Sequence, residues 1–287
     1  MLIRVEAAAF MAIGRDLMGL RRRRRRDVEL RRFKAHFGTT DERCVVIWNI
    51  LRADPASQPL NGAKPEHLLW ALLMLKTYDT EPVLSGKAHC DEKTFRKWSW
   101  KFIVALSNIL YKVVVFNRRW IGAQGHNHTM SVDGTDCRIN EPKPFSRQWY
   151  SHKFRAAGVR YEVAVSIRRS EIVWINGPFP CGRYPDITIF RVGLRNRLRH
   201  GERVMADKGY RGERGCVDTP NDNDPPGVRA LKKRVASRHE TVNCRLKSFG
   251  CLSGKFRHDL SKHRVFFQAV TVITQVNITN GDPLFDV

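Results

Sequence analysis

From about Thr129 onward, the sequence consists of short β-branched runs separated by glycine and proline, and this pattern limits the fold more than any other feature. The runs predict three strands, a helix, a fourth strand, a loop and a final pair of helices. The expected positions are strands at 128–135, 161–168, 172–175 and 203–207, a helix after Asp186, a loop at 212–227, and helices around Glu240 and at 264–276. The last segment is rich in β-branched residues, so a strand is also compatible with it.

The order of these elements favours one fold class. Three strands followed by a helix and a fourth strand is the order of an RNase H-like α/β fold, a mixed sheet flanked by helices, in which an antiparallel hairpin leads into the sheet. In a sheet of this order the first and fourth strands lie side by side. Side chains at the ends of those two strands are therefore expected to meet.

The part before residue 126 is patterned as helices instead. Apolar residues recur at steps of three and four, Thr39 and Glu42 form a capping-box signal, and a further helix is expected after Asp91. We therefore expect a small helical domain at 33–125 before the RNase H-like domain at 126–287, and we interpret residues 1–32 as an Arg-rich, flexible leader. The segment from Thr77 to Trp98 could hold a helix-turn-helix that reads DNA, or its helices could simply pack in the bundle.

The chain carries a large positive charge, with 51 Lys and Arg against 28 Asp and Glu and a net charge of +23. This excess predicts a polyanionic partner. No stretch approaches the roughly 18 apolar residues of a membrane-spanning helix, so we expect DNA and no membrane. A run of six basic residues indicates a nuclear-import element or a phosphate-binding arm, although a solvated surface run is the alternative. The run comprises Arg21, Arg22, Arg23, Arg24, Arg25 and Arg26.

The seven cysteines are scattered, without a close pair that could begin a zinc site or a disulfide framework. This favours a reducing compartment, and with the arginine run it predicts a nuclear location.

Three acids occupy comparable places in the predicted fold. Asp133 ends the first strand, Asp207 ends the fourth, and Glu240 lies in the helix that follows. Cleavage of a DNA phosphodiester bond is commonly catalysed by two metal ions roughly 3.5 to 4 Å apart, and Mg²⁺ needs only a few converging carboxylates. Each acid alone is more often a turn residue, a helix cap or a solvated side chain. Their shared placement at element ends strengthens the prediction of a divalent-metal site.

Four blocks of sequence, taken in order, resemble the DDE superfamily endonucleases of the Harbinger/PIF transposase type and their bacterial insertion-sequence relatives. The blocks are Val132 to Thr135, Gly177 to Pro180 leading to Asp186 to Phe190, Ala206 to Tyr210, and Arg238 to Asn243 ahead of Leu246 and Lys247. The resemblance covers roughly residues 125 to 280. It implies an RNase H-like core, dependence on Mg²⁺ or Mn²⁺, and the cutting and joining of DNA.

The resemblance also implies roles for individual residues. Catalytic and metal-binding roles carry over to Asp133, Asp207 and Glu240, and Asp186 matches an additional acid of the family. Lys208 and Lys247 are expected to contact phosphates and Arg238 to orient the DNA, although a chain with so many basic residues places some near any site by chance.

The predicted function is therefore that of a DNA endonuclease or transposase with DNA, an accessory DNA-binding protein and a second copy of the chain as partners. The alternative is a domesticated or inactive relative that binds DNA without cutting it, and a third interpretation is a nuclease that acts on RNA.

Overall fold

The computed structural model describes residues 5–55, 61–123, 125–144 and 146–287. The helices in chain order are α1 (Ala7–Leu17), α2 (Arg26–Phe37), α3 (Asp41–Ala53), α4 (Pro65–Thr77), α5 (Glu81–Lys87), α6 (Glu92–Asn108), α7 (Leu110–Val113), α8 (Asp186–Val192), α9 (Pro226–Lys247), α10 (Gly250–Ser253) and α11 (His263–Thr279). The strands are β1 (His128–Arg138), β2 (Tyr150–Ser151), β3 (Ala156–Ser166), β4 (Ile172–Pro180), β5 (Arg203–Ala206) and β6 (Val217–Asp218).

The chain forms two compact units, and each is discontinuous in sequence. The helical unit comprises Met1–Val113, Leu246–Gly254 and Lys262–Gly281. The sheet unit comprises Val114–Arg245, Lys255–Ser261 and Asp282–Val287.

The helical unit is organised around α4, whose residues from His67 to Leu75 are all buried. Helix α6 begins directly after Asp91, as predicted, and the side chain of Asp91 accepts a hydrogen bond from the backbone of Thr94 at 2.9 Å. The predicted cap of α3 is one residue early. Thr40 caps that helix, whereas Thr39 is buried and donates its hydroxyl to Asn277 at 2.6 Å.

The N-terminal segment is not the flexible arm expected for residues 1–32, as far as it is described from residue 5. Helix α1 buries Phe10 and Leu17, and the ring of Phe10 packs edge-on against Trp48 of α3. Arg15 of α1 donates to the buried carboxylate of Glu29 in α2 at 3.0 Å. Apolar packing and an ion pair therefore hold both helices within the helical unit.

The C-terminal segment also differs from the expected division at residue 126. Residues 263–279 form the helix α11, not a strand, and this helix belongs to the helical unit. Nearly all of α11 is buried, including Phe266, Val270 and Ile273. Burial on this scale outweighs the weak helix propensity of its β-branched residues.

The sheet unit has the predicted RNase H-like order of strands and helices. Its strand order is β2-β3-β1-β5-β6, with β4 also paired to β3. Strands β1, β3 and β4 pair antiparallel, and β5 runs parallel to β1. The core beneath this sheet is formed by Met130, Val132, Val173, Phe190 and Tyr210, among others.

Among the described residues, no single helix is long and apolar enough to cross a membrane, and one bent pair, Glu92–Asn108 with Leu110–Trp120, meets that test by length and composition.

Candidate active site

Asp133 and Asp207 are brought together by the parallel pairing of β1 and β5. The register pairs Val132 with Ala206, so the two aspartates are the next residues along neighbouring strands. Strand β5 ends at Ala206, one residue before the predicted end at Asp207, and β1 continues past Asp133 to Arg138. Asp133 therefore lies within β1 rather than at its end, and it stands beside the point where β5 stops.

The other two acids come from helices of the sheet unit. Asp186 is the first residue of α8, and Glu240 lies on the exposed side of α9. All four acids line one cavity of about 340 Å³ within the sheet unit. The four acids selected from the sequence therefore lie around a single cavity.

Hydrogen bonds fix the orientation of the two strand-derived acids. Asp133 accepts from the backbone N–H of Gly134 at 2.8 Å and from Nδ2 of Asn243 at 3.1 Å. Asp207 accepts from the backbone N–H of Gly209 at 2.8 Å. Because Asn243 lies one helical turn after Glu240, α9 both orients Asp133 and carries the fourth acid.

The negative charges of this cluster act on one another. Burial raises the pKa of Asp133 to about 7, and the charges of Asp207, Asp186 and Glu240 add to the rise, while the hydrogen bond from Gly134 opposes it. Burial also raises the pKa of Asp186, with Arg160 opposing and Asp207 contributing. Like charges held this close in a partly desolvated space favour a bound proton or cation.

Two glycines leave room for the acids. A Cβ atom at Gly134 would collide with Oδ1 of Asp186. A Cβ atom at Gly209 would lie 3.0 Å from Oδ1 of Asp207 and 3.3 Å from Oδ2 of Asp186. The carboxylates therefore occupy space that a side chain at either position would fill.

These residues fit a divalent cation of the Mg²⁺ type. Oδ1 of Asp186 is buried without a hydrogen bond, and its one close cationic neighbour among the described residues is Nη1 of Arg160 at 3.3 Å. Within the described part of the chain, no three Asp, Glu, His or Cys side chains stand close enough to surround a single ion. Mg²⁺ usually keeps several waters and is held by one or two carboxylates, so pairs from this cluster satisfy its chemistry.

The predicted DNA contacts lie in different surroundings. Lys208 is exposed beside Asp207, the six arginines from Arg21 to Arg26 are exposed on the helical unit, and Lys247 is half-buried in that same unit. Arg238 is fully buried, and its guanidinium donates to the carbonyls of Ser166 and Ile167 and to the hydroxyl of Ser170. The prediction that it orients DNA is wrong, because this side chain is enclosed by the protein.

Several residues around the cavity were not predicted from the sequence. Arg160 and Asp136 form an ion pair at the cavity wall, and Lys232 also lines the cavity. The opposite charges of Asp136 and Arg160 on neighbouring strands were a usable signal, since cross-strand pairs of opposite charge are favourable. Using it required the register between β1 and β3, which the sequence does not reveal.

In this RNase H-like sheet, acidic residues from β1, from the position after β5 and from two adjoining helices surround one cavity. The chain belongs to the DDE superfamily endonucleases, because the family model of that description matches residues 132–275, about half of the 287 residues. Comparisons with curated proteins and with solved structures gave no match.

Proposed function

We propose that this chain is a metal-dependent DNA endonuclease of the transposase type, close to the Harbinger/PIF group, that cuts and joins phosphodiester bonds. The observation that supports it best is the convergence of Asp133, Asp186, Asp207 and Glu240 on one cavity in a chain with a net charge of +23. The net positive charge attracts a polyanion such as DNA. The four acids supply oxygen ligands for a divalent metal ion at one place on the protein.

Asp133, Asp207 and Asp186 are the residues we propose to hold Mg²⁺ or Mn²⁺, with Glu240 completing the set. Two such ions would activate the attacking oxygen and stabilise the leaving one. Asn243 keeps the Asp133 carboxylate turned toward the cavity through its 3.1 Å hydrogen bond.

The positive residues divide into two proposed roles. Lys208 is exposed beside Asp207, and we propose that it contacts a phosphate next to the cleaved bond. The exposed arginines from Arg21 to Arg26 and the half-buried Lys247 would bind other phosphates of the DNA. We further propose a nuclear location, which the arginine run and the scattered cysteines favour, together with an accessory DNA-binding protein and self-association.

The test is nicking of supercoiled plasmid DNA with Mg²⁺ or Mn²⁺. Asp133→Asn, Asp207→Asn and Glu240→Gln should each abolish nicking while leaving DNA binding in a mobility-shift assay intact. Asp222→Asn and Glu141→Gln, at exposed acids outside the cavity, make the same chemical changes and should nick normally. Unchanged nicking in all three cavity variants would refute the proposal.

A second candidate is a relative that binds DNA without cutting it. The absence of any three-ligand group among the described side chains favours it. Calorimetric titration with Mn²⁺ separates the two, because an active site should bind the ion in a manner that Asp133→Asn and Asp207→Asn weaken. A protein that binds DNA but takes up no Mn²⁺ would support the second candidate.

A further inference from the structure

Arg160 is held rigidly at the wall of the cavity by its partner on the neighbouring strand. It stands directly opposite Asp136 in the pairing of β3 with β1. Its Nε donates to Oδ1 of Asp136 at 2.6 Å and its Nη2 to Oδ2 at 3.1 Å, so the contact is side-on and bidentate. Ser151 donates to the same carboxylate at 2.7 Å. Two parallel bonds of this kind fix the plane of a guanidinium as well as its position.

The remaining arm of that guanidinium, Nη1, donates to the carbonyl of Tyr184 at 3.5 Å and forms an ion pair with one of the four acids. Nη1 of Arg160 lies 3.3 Å from Oδ1 of Asp186, the oxygen that has no hydrogen bond. The other oxygen, Oδ2, lies on the side of Gly209 and Asp207. The two oxygens of Asp186 therefore face different neighbours. Oδ1 faces the guanidinium of Arg160, and Oδ2 faces Asp207, the acid that follows β5.

We propose that Arg160 is a positioning residue for the cation site, which orients the carboxylate of Asp186 so that Oδ2 faces Asp207. Asp136 and Ser151 hold Arg160, and Arg160 holds Asp186. The inference rests on the proposed function, because it concerns how that same acid cluster holds its ion.

Charge and geometry predict opposite effects of removing Arg160. A positive guanidinium near the site repels a metal ion, so charge alone predicts that its loss strengthens Mn²⁺ binding. Asp136 neutralises most of that charge at 2.6 Å, which leaves the repulsion small. Loss of the orienting contact frees the Asp186 side chain to rotate, and removing a group that orients a metal ligand typically weakens metal binding about ten- to a hundredfold.

The experiment is a double-mutant cycle on the full-length chain, with Mn²⁺ affinity measured by calorimetry and by the electron paramagnetic resonance signal of the bound ion. Arg160→Gln should weaken Mn²⁺ binding about ten- to a hundredfold. In an Asp186→Asn background, Arg160→Gln should have no further effect, because it acts through the side chain already changed. Independent, additive losses in the two variants would overturn the proposal, as would tighter binding by Arg160→Gln.

Arg160→Lys tests geometry against charge. Lysine keeps the positive charge but cannot bind Asp136 side-on and reach Asp186 together, so it should restore only a minor part of the Mn²⁺ affinity. Full restoration by lysine would show that charge alone matters and would refute positioning. Because lysine is the milder change, this arm remains decisive if Arg160→Gln fails to fold in a thermal denaturation control.

Arg118→Gln is the matched control. It removes an arginine ion pair in the same unit, with Glu171 at 3.2 Å, away from the cavity lining, and Glu171 keeps Arg169 at 3.0 Å. Its Mn²⁺ affinity should equal that of wild type.

The two proposals fail in different ways. Wild-type protein that neither binds Mn²⁺ nor nicks DNA refutes the proposed function and this inference with it. Wild-type protein that does both, with Arg160→Gln matching it in Mn²⁺ affinity, refutes only the role of Arg160.

Discussion

Replacing Asp133 with asparagine should stabilise the metal-free protein at alkaline pH, although it removes a proposed metal ligand. Burial, followed by the charge of Asp207 and then those of Asp186 and Glu240, raises the pKa of Asp133 from 3.8 to about 7. A carboxyl group with a raised pKa binds its proton more tightly in the folded protein than in the unfolded chain. Its contribution to stability is complete below pH 3.8 and is lost as the pH rises to 7.

The size of the effect follows from the shift. The pKa rises by about three units, each worth about 1.4 kcal/mol, so the free energy of unfolding of wild type should fall by about 4 kcal/mol across this range. Asparagine cannot ionise and escapes this loss. It gives up one of the two hydrogen bonds that Asp133 accepts, at a cost of about 1 kcal/mol. We expect Asp133→Asn to be less stable than wild type by about 1 kcal/mol near pH 4 and more stable by about 3 kcal/mol at pH 8.

Urea denaturation between pH 4 and pH 8.5, in the presence of a chelator and followed by the fluorescence of the seven tryptophans, measures this difference. Asp222→Asn, which removes an exposed carboxylate, is the control and should track wild type. A difference between Asp133→Asn and wild type that stays constant with pH would refute the electrostatic reasoning. At pH 8, Mn²⁺ at about a hundred times its Kd should restore about 2.7 kcal/mol to wild type and much less to the variant.

Other predictions concern packing, a buried ion pair and DNA binding. Gly134→Ala should displace Asp186 and lower the free energy of unfolding, measured by urea denaturation, by about 1–3 kcal/mol. Gly86→Ala is the control, because its Cβ would meet nothing within 4 Å, and it should leave the free energy of unfolding unchanged or raise it by up to about 1 kcal/mol. Arg119→Ala should cost about 3–5 kcal/mol in the same assay, because the buried carboxylate of Glu202, 2.7 Å from Nε, loses its charged partner, and a change below about 1 kcal/mol would contradict this. Glutamine in place of the arginines at 21–26 should reduce the slope of log affinity for DNA against log salt by about 0.9 for each phosphate that the protein no longer neutralises, and an unchanged slope would exclude them from the DNA interface.

The strands and the acids could be predicted because their signals are local. Alternating apolar residues mark β3, and the acids that follow Val132 and Ala206 stand out against apolar runs. The helix α1 was missed for the opposite reason. Its few large apolar residues become a recognisable face only where Phe10 meets Trp48 of α3.

The sequence by itself determined the order of β1, β3, β4, α8, β5 and α9, the positive charge and the choice of four acids, because each of these is a property of neighbouring residues or of composition. The two-residue strand β2 was not predicted, and β6 lies within the predicted loop at 212–227. Only the tertiary structure decided that α11 joins the helical unit, that Arg238 is enclosed, and that Arg160 bridges Asp136 and Asp186. Those outcomes depend on strand register and on packing between distant segments. Such arrangements are selected by the burial and hydrogen bonding of the whole fold and leave no pattern in a short window of sequence.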